Sequence, residues 1–187
     1  MSRERFVELM TPALIRFGQD LKSVLRIVED PEVDDESRIA AAGALLHVIF
    51  SRGAIPGVRG VLRHLGDVLL IRLVLRDVRE RSPDAFDKHA QVSPEMFDPL
   101  SDELDAMQAY LGDRVRVLEE IAKKLPTLNQ QGHEAAHCVE DSESSTWLYD
   151  AVQEALIDEI DFDEEDVIRE LKQVDQILAP LASRVAR

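Results

Sequence analysis

Apolar residues recur along this chain at steps of three and four residues, the spacing of one face of an α-helix. In residues 3–29, for example, Phe6, Leu9, Met10 and Leu14 follow this spacing. No apolar pattern longer than ten residues alternates with the period of two that a β-strand requires. The pattern therefore predicts an all-α fold without a β-sheet.

The most apolar stretch covers residues 39–78 and predicts two packed helices joined by a Gly/Pro turn. The first of these helices contains Ala40, Gly43 and Ala44, small residues that allow another backbone to come close. A helix that is apolar around most of its circumference is normally buried. We therefore predict that residues 1–81 form one compact helical domain around a buried helical hairpin.

Acidic residues mark the start of two predicted helices. Asp34, Asp35 and Glu36 form the acidic first turn of a helix that reaches about Arg52. Asp163 is the predicted N-cap of the last helix. Acidic side chains in a first helical turn are favourable at the positive end of the helix dipole.

The chain beyond residue 81 divides into a connector, residues 82–100, and an acidic helical region, residues 101–187. Long amphipathic helices are predicted at 101–125 and from Asp163 to residue 185, each with an apolar stripe near a seven-residue period. Apolar stripes of this length have to be buried against other apolar surface. We predict self-association through the C-terminal helices, and the alternative is that the stripes cover one another within a monomer.

The formal net charge is −15. Basic and acidic side chains balance in residues 1–80, so the excess of acid lies in residues 81–187. Such a chain lacks the basic footprint of a nucleic-acid-binding protein, and we expect no nucleic-acid partner. An acidic region of this kind is compatible with a protein partner.

Arg72, Arg76 and Arg79 lie on one narrow face of a predicted helix. One interpretation is that they contact an acidic partner, or a membrane surface weakly through anionic lipid. The other is an ordinary solvated face, paired with the acidic second half of the chain. The sequence leaves both interpretations open.

Cys138 is the only cysteine, so the chain cannot form an intramolecular disulfide, and a reducing compartment is expected. The N-terminus has no pattern typical of a signal peptide. The apolar runs 39–50 and 68–75 are too short to span a bilayer. We therefore predict a soluble, cytoplasmic protein.

Short segments of residues 28–78 carry a family pattern at matching spacing. They are Asp30-Pro31, Leu45-Leu46-His47, Ile55-Pro56, Val61-Leu62 and Leu65-Gly66-Asp67. In these segments the chain resembles the YkvA-like family, a small bacterial helical domain of unknown function. The resemblance implies a helical hairpin and makes Ile55, Pro56, Leu65 and Asp67 family-motif positions.

The chain departs from this family pattern at its polar positions. His47 stands where the family has an aromatic residue, and Gly53 and Gly57 stand at the two carboxylates of the turn. Gly66 replaces the first residue of an Asp-Asp pair, which leaves Asp67 alone. If the carboxylates of the family bind a ligand, this chain lacks most of them.

Two interpretations of Asp67 follow from the residues themselves. It is either a functional carboxylate on a core-facing line or a helix N-cap. We predict the N-cap, because Gly66 immediately precedes it and a helix start is expected there. His47 and His64 are predicted to be packed or half-exposed residues rather than metal ligands.

The segment His133-Glu134-Ala135-Ala136-His137 fits the pattern His-Glu-x-x-His. On a helix, His133 and His137 would share a face and bind zinc, with Glu134 as general base, and in this the segment resembles the gluzincin metallopeptidases. However, its flanks are polar, whereas such enzymes bury the motif in an apolar helix. We predict a solvated helix start or loop, without a cofactor, and keep the zinc site as the alternative.

Together these patterns predict a non-enzymatic helical interaction or regulatory protein whose pathway the sequence does not identify. The alternative is a zinc-dependent hydrolase that uses His133, Glu134 and His137. The two differ in one structural respect. An apolar helix that contains His133 favours the hydrolase, whereas a loop at that place favours the interaction protein.

Overall fold

The computed structural model describes residues 1–158 and 160–186, and the predicted all-α class is confirmed. In chain order the helices are α1 (Ser2–Ile15), α2 (Phe17–Glu29), α3 (Asp35–Phe50), α4 (Val61–Arg81), α5 (Pro83–Val92), α6 (Pro94–Phe97), α7 (Leu100–Leu111), α8 (Val115–Lys124), α9 (Ala135–Glu140), α10 (Ser142–Asp158), α11 (Glu164–Leu171) and α12 (Leu178–Val185). Two short strands, β1 (Asn129–Gln130) and β2 (His133–Glu134), lie between α8 and α9.

Helices α3 and α4 pack against each other as a hairpin at the centre of the fold. Helix α4 is buried along most of its length, because α1, α3, α7, α8 and α11 surround it. Helix α3 begins after Asp34, whose side chain accepts the backbone N–H of Ser37 at 3.1 Å, so the predicted acidic start is confirmed. Within the described residues, no helix is both long and apolar enough to cross a membrane.

At Gly43 the backbone of another segment touches α3. A Cβ at this position would overlap the carbonyl oxygen of Leu125 and lie 2.5 Å from its carbonyl carbon. The 3-10 turn Leu125–Thr127, which follows α8, therefore rests directly on α3. The prediction that small residues of α3 admit a second backbone is confirmed at this position.

Helix α4 is capped by a side chain from the far end of the sequence. It begins at Val61 after Gly60, which has a φ of 63° and no side chain to act as a cap. Instead, Oε2 of Glu170 in α11 accepts the Val61 N–H at 2.8 Å, and its charge is favourable at the positive end of the helix dipole. Asp67 lies inside the helix. The prediction that Asp67 is the N-cap is therefore wrong.

The long helices predicted at 101–125 and 163–185 are each interrupted. The 3-10 turn Gly112–Arg114 separates α7 from α8, and the 3-10 turn Val174–Ile177 separates α11 from α12. The apolar stripes are nevertheless covered within the chain, because α7 and α11 pack on α1, and α8 and α11 pack on α4. One hydrophobic core therefore contains residues from the N-terminal helices and from the acidic region.

The polar segment after α8 contains a small hairpin. Strands β1 and β2 pair antiparallel, with Gln130 opposite His133. The connecting residues Gln131 and Gly132 have φ values of 53° and 84°, the left-handed conformation of a two-residue hairpin turn. The prediction of a fold without any strand is wrong here, because strands of two residues are too short for an alternating pattern to show.

Candidate functional site

One carboxylate and two imidazoles meet between α3 and α4. Asp67 is fully buried, with Oδ1 3.4 Å from Nδ1 of His47 and Oδ2 3.3 Å from Nδ1 of His64. Neither carboxylate oxygen has a hydrogen-bond partner among the described residues. Burial of a charge without compensation is unfavourable, so an ionised Asp67 requires a protonated imidazole beside it.

Aromatic rings and a hydroxyl group lie around this cluster. The His64 ring centroid lies 4.9 Å from that of Phe162 and 5.8 Å from that of Phe17. His47 Nδ1 is 3.2 Å from Oγ of Ser51. In the part of the chain that the structure describes, no three His, Cys, Asp or Glu side chains are placed to hold a metal ion.

The other positions of the predicted family motif carry apolar side chains. Ile55 and Leu65 are fully buried in the core, and Pro56 is exposed in the turn between α3 and α4. Asp67 is thus the one motif position whose side chain can carry a charge. Its contacts connect α3 to α4, which is a structural role.

A second buried ionic cluster connects α2, α4 and α7. Arg72 Nε donates to Glu103 Oε2 at 2.5 Å, and Nη2 donates to Asp20 Oδ2 at 3.1 Å. Arg72 is 1% exposed, and Asp20 and Glu103 are each 2% exposed. Burial raises the pKa of Asp20, although the charges of Arg72 and Arg16 oppose this shift. Asp20 and Glu103 were not predicted from the sequence. The signal that could have found them is a carboxylate that lies on the apolar stripe of its helix.

The rest of the arginine stripe also faces the second half of the chain. Arg76 Nη1 lies 3.3 Å from Glu119 Oε1 in α8, and Arg79 Nη1 donates to Ser101 Oγ in α7 at 2.7 Å. The stripe pairs with the second half of the chain, but the prediction of a solvated face is wrong for Arg72, which is buried.

The His-Glu-x-x-His segment is not a single helix. His133 lies in β2, before α9 begins, so it does not share a helical face with His137. Its Nδ1 is 2.9 Å from Ser144 Oγ, and its ring stacks on Trp147 with centroids 4.1 Å apart. His137 is exposed, with its Nε2 4.0 Å from Glu134 Oε2. The helical arrangement that the zinc-hydrolase alternative requires is therefore not formed, because the hairpin turn holds His133 in extended backbone.

The neighbouring thiol is poorly suited to act as a nucleophile. Cys138 is 1% exposed, and burial raises its pKa to about 11, with a smaller contribution from the charge of Asp141. The thiolate is the reactive form, so this side chain is largely unreactive at neutral pH. Its role in the structure is to fill the core beneath α9.

A surface groove between α8 and α12 differs in charge from the rest of the protein. It has a volume of about 610 Å³. The residues that line it, called the basic groove from here on, are Arg116, Val117, Glu120, Ile121, Lys124, Arg184 and Val185. It is lined by three cations, by one carboxylate and by apolar side chains, here called its floor, of which Val185 is 42% exposed. This combination can bind a ligand that is both acidic and apolar.

No known protein family, curated protein or solved structure matches this chain in the comparisons made. Function therefore has to be inferred from the two buried clusters and the basic groove. The ionic side chains of Asp67, Arg72, Asp20 and Glu103 in the buried clusters are closed to solvent. The basic groove is open to solvent, and it is the candidate site.

Proposed function

We propose that this protein is a non-enzymatic interaction module whose basic groove binds an acidic amphipathic helix of a protein partner. One observation carries the proposal. Three cations surround an apolar floor on a protein whose net charge is −15. Local positive charge on an acidic surface opposes the overall field and favours a ligand of the opposite sign.

The cations of the basic groove are only weakly engaged within the chain. Among residues 1–158 and 160–186, Lys124 and Arg184 have no acidic partner within 4.0 Å. The one pairing of Arg116 is with Asp113 at 3.9 Å, where both side chains are highly exposed. Exposed pairs of this length contribute little to stability. Binding of an acidic ligand would therefore require little rearrangement of existing contacts.

A second groove, between α3, α4 and α8, provides a useful contrast. Its volume is about 510 Å³, and it also contains cations. There, however, Arg76 pairs with Asp77 and Glu119, and Arg81 pairs with Glu36. Its charge is already neutralised, so the basic groove is the better candidate for an acidic ligand.

The shape and lining of the groove indicate which kind of ligand it can bind. A groove between two helices with an apolar floor suits an amphipathic helix, which inserts apolar side chains and leaves charged ones at the rim. Acidic side chains on such a helix would face Arg116, Lys124 and Arg184. Rim charges mainly accelerate association, so binding should weaken as salt is added.

The test uses two synthetic helices labelled with fluorescein, one of Leu and Glu and one of Leu and Lys. We expect the Leu/Glu peptide to bind by fluorescence anisotropy, and Lys124→Glu to weaken its binding about tenfold or more. Lys88→Glu is the matched control, because Lys88 is exposed on α5 and does not line the groove. Equal binding of the Leu/Lys peptide, or equal effects of both variants, would contradict the proposal.

Two further proposals rest on the sequence. A cytoplasmic location is supported by the single cysteine, Cys138. Kinship of residues 28–78 with the YkvA-like family is supported by the motif spacing and by the hairpin of α3 and α4. Contact with a membrane surface is not proposed, because the arginine stripe faces α7 and α8.

A further inference from the structure

We infer that the occupant of the basic groove is the outer face of α10 from a second copy of this chain. This inference rests on the proposed function, since it names the partner of the same groove. It is supported by the character of α10, by the spacing of its charges, and by the position of α10 within the fold.

The outer face of α10 is both acidic and apolar. Ile157 is 82% exposed and Tyr149 is 47% exposed. Asp150, Glu154 and Asp158 lie exposed beside them. The opposite face of α10 is buried against α2, α3 and α9. The chain therefore presents on its own surface the kind of helix face that the basic groove is expected to bind.

The charges of the two surfaces have matching spacing. Asp150 and Asp158 in α10 are separated by as many residues as Arg116 and Lys124 in α8. At 1.5 Å per residue, each pair spans about 12 Å of helix. When α10 of one copy lies along α8 of another, both ion pairs can therefore form together.

The remaining groups of the two surfaces also correspond. Ile157 meets the apolar floor, where Val185 is partly exposed. Glu154 approaches Arg184 on the other wall of the groove, and this attraction offsets the repulsion between Glu154 and Glu120. Burial of the exposed isoleucine removes apolar surface from water and is favourable.

The contact has to form between two copies. Within one chain α10 packs on α2, α3 and α9, whereas α8 packs on α4 and α12. Each copy thus offers one groove and one α10 face at different places. An interface between two different surfaces is heterologous, so copies would join head to tail into a ring or an open chain.

The overall charge of the protein opposes this assembly and sets the conditions of the test. Two copies with a net charge of −15 repel each other. At about 0.15 M salt the Debye length is about 8 Å, so repulsion between distant charges is screened more than contact between adjacent ones. Association should therefore be measured near this ionic strength.

Two variants that each damage one surface provide the test. Lys124→Glu together with Arg184→Glu damages the groove, and Ile157→Lys damages the α10 face. By sedimentation velocity we expect the unaltered protein to associate with increasing concentration and each variant to stay monomeric. All three positions are exposed, and thermal melting checks that both variants fold. Tyr149→Lys replaces Ile157→Lys if the latter does not fold.

The mixture of the two variants gives the decisive result. The groove variant keeps its α10 face and the face variant keeps its groove, so an equimolar mixture should form a dimer and nothing larger. Val92→Lys is the matched control, because Val92 is 68% exposed on α5 and belongs to neither surface. A mixture that stays monomeric, or variants that assemble like the unaltered protein, would overturn the inference.

The same measurements separate this inference from the proposed function. If the Leu/Glu peptide binds the groove while the unaltered chain stays monomeric, the inference fails and the groove still has a partner of another kind. If the peptide does not bind and the chain stays monomeric, both fail. If the chain associates but Lys124→Glu with Arg184→Glu has no effect, a different surface is responsible and the inference is overturned.

Discussion

Two charged side chains of α4, Arg72 and Asp67, are buried under very different conditions. Arg72 makes hydrogen bonds to Asp20 and Glu103. Among the residues that the structure describes, those within ion-pair distance of Asp67 are the imidazoles of His47 and His64. An arginine stays charged in any protein interior, whereas an imidazole can lose its proton. Arg72 is therefore a permanent cation in the first cluster, whereas imidazoles take that place beside Asp67 in the second.

We expect Arg72→Met to lower the free energy of unfolding by about 3–5 kcal/mol, because it leaves Glu103 without its buried cation and Asp20 with Arg16 at 4.0 Å in place of Arg72. Urea denaturation measures the change. Arg79→Met is the control, since Arg79 is only partly buried, and it should change stability by about 0.5 kcal/mol or less. A loss no larger than that of the control would show that the two carboxylates are protonated or hydrated in the folded protein.

A double-mutant cycle tests whether Asp67 depends on its imidazoles. We expect His64→Gln to destabilise the protein, and to do so by less when Asp67 is already Asn, because the carboxylate that needs a cation is then gone. Urea denaturation of the four proteins gives the interaction free energy, expected to be about 0.5–3 kcal/mol. Additive effects would indicate that Asp67 and His64 are neighbours without electrostatic interaction.

At the scale of elements, close backbone contacts and a short hairpin determine how the second half of the chain meets the first. The turn after α8 rests on Gly43 of α3, and α9 follows directly from the hairpin of β1 and β2. His133 in β2 stacks on Trp147 of α10, and Trp147 stacks on Phe50 of α3. These stacked rings connect the hairpin to the central helices.

We expect Gly43→Ala to destabilise the protein by about 1–3 kcal/mol, because its Cβ would overlap the backbone of Leu125. Helix propensity predicts the opposite sign, since Ala is favoured over Gly inside a helix by about 1 kcal/mol. The sign of the change in urea denaturation therefore decides between contact and propensity. A gain in stability would mean that the turn does not lie against α3.

The two histidines of the His-Glu-x-x-His segment should respond differently to substitution. We expect His133→Ala to lower Tm, because it removes the stack on Trp147 and the contact with Ser144, whereas His137→Ala should leave Tm unchanged. Neither added zinc nor a chelator should shift Tm of the unaltered protein. Stoichiometric zinc that both substitutions abolish would restore the zinc-hydrolase alternative, with Glu134 as its general base.

At the scale of the whole molecule, one carboxylate near the C-terminus ties together three distant parts of the chain. Asp175 accepts a hydrogen bond from the Tyr110 hydroxyl at 2.5 Å and one from Arg3 Nε at 3.0 Å. Phe6 of α1 stacks on Tyr110 of α7, with ring centroids 4.6 Å apart. The N-terminal helix is thereby joined to both α7 and the turn before α12.

The hydrogen bond from Tyr110 lowers the pKa of Asp175 below its ordinary value of 3.8. A lowered pKa in the folded state adds stability that is present above the unfolded value and is lost as pH falls through the folded one. We expect Asp175→Asn to reduce stability at neutral pH and to flatten its decline below about pH 4. Urea denaturation between pH 3 and pH 7 tests this, with Asp98→Asn at an exposed position as the control. If the stability of Asp175→Asn fell with pH as steeply as that of the unaltered protein, the role of Asp175 would be contradicted.

The sequence by itself determined the features that depend on neighbouring residues. The helical class followed from spacing, and Asp163 caps α11 as predicted. The acidic run Asp34–Glu36 predicted the start of α3, where Asp34 is the N-cap and Asp35 and Glu36 lie in the first turn. These signals act over one or two helical turns, so they can be read before the tertiary structure is known.

Only the tertiary structure decided which residues meet across long stretches of chain. Glu170 caps α4 in place of Asp67, and Asp20 and Glu103 neutralise Arg72. The basic groove likewise requires Arg184 to approach α8, which the sequence analysis did not predict. A cap, an ion pair or a groove formed by residues far apart in sequence depends on packing of the whole core, and no local period encodes it.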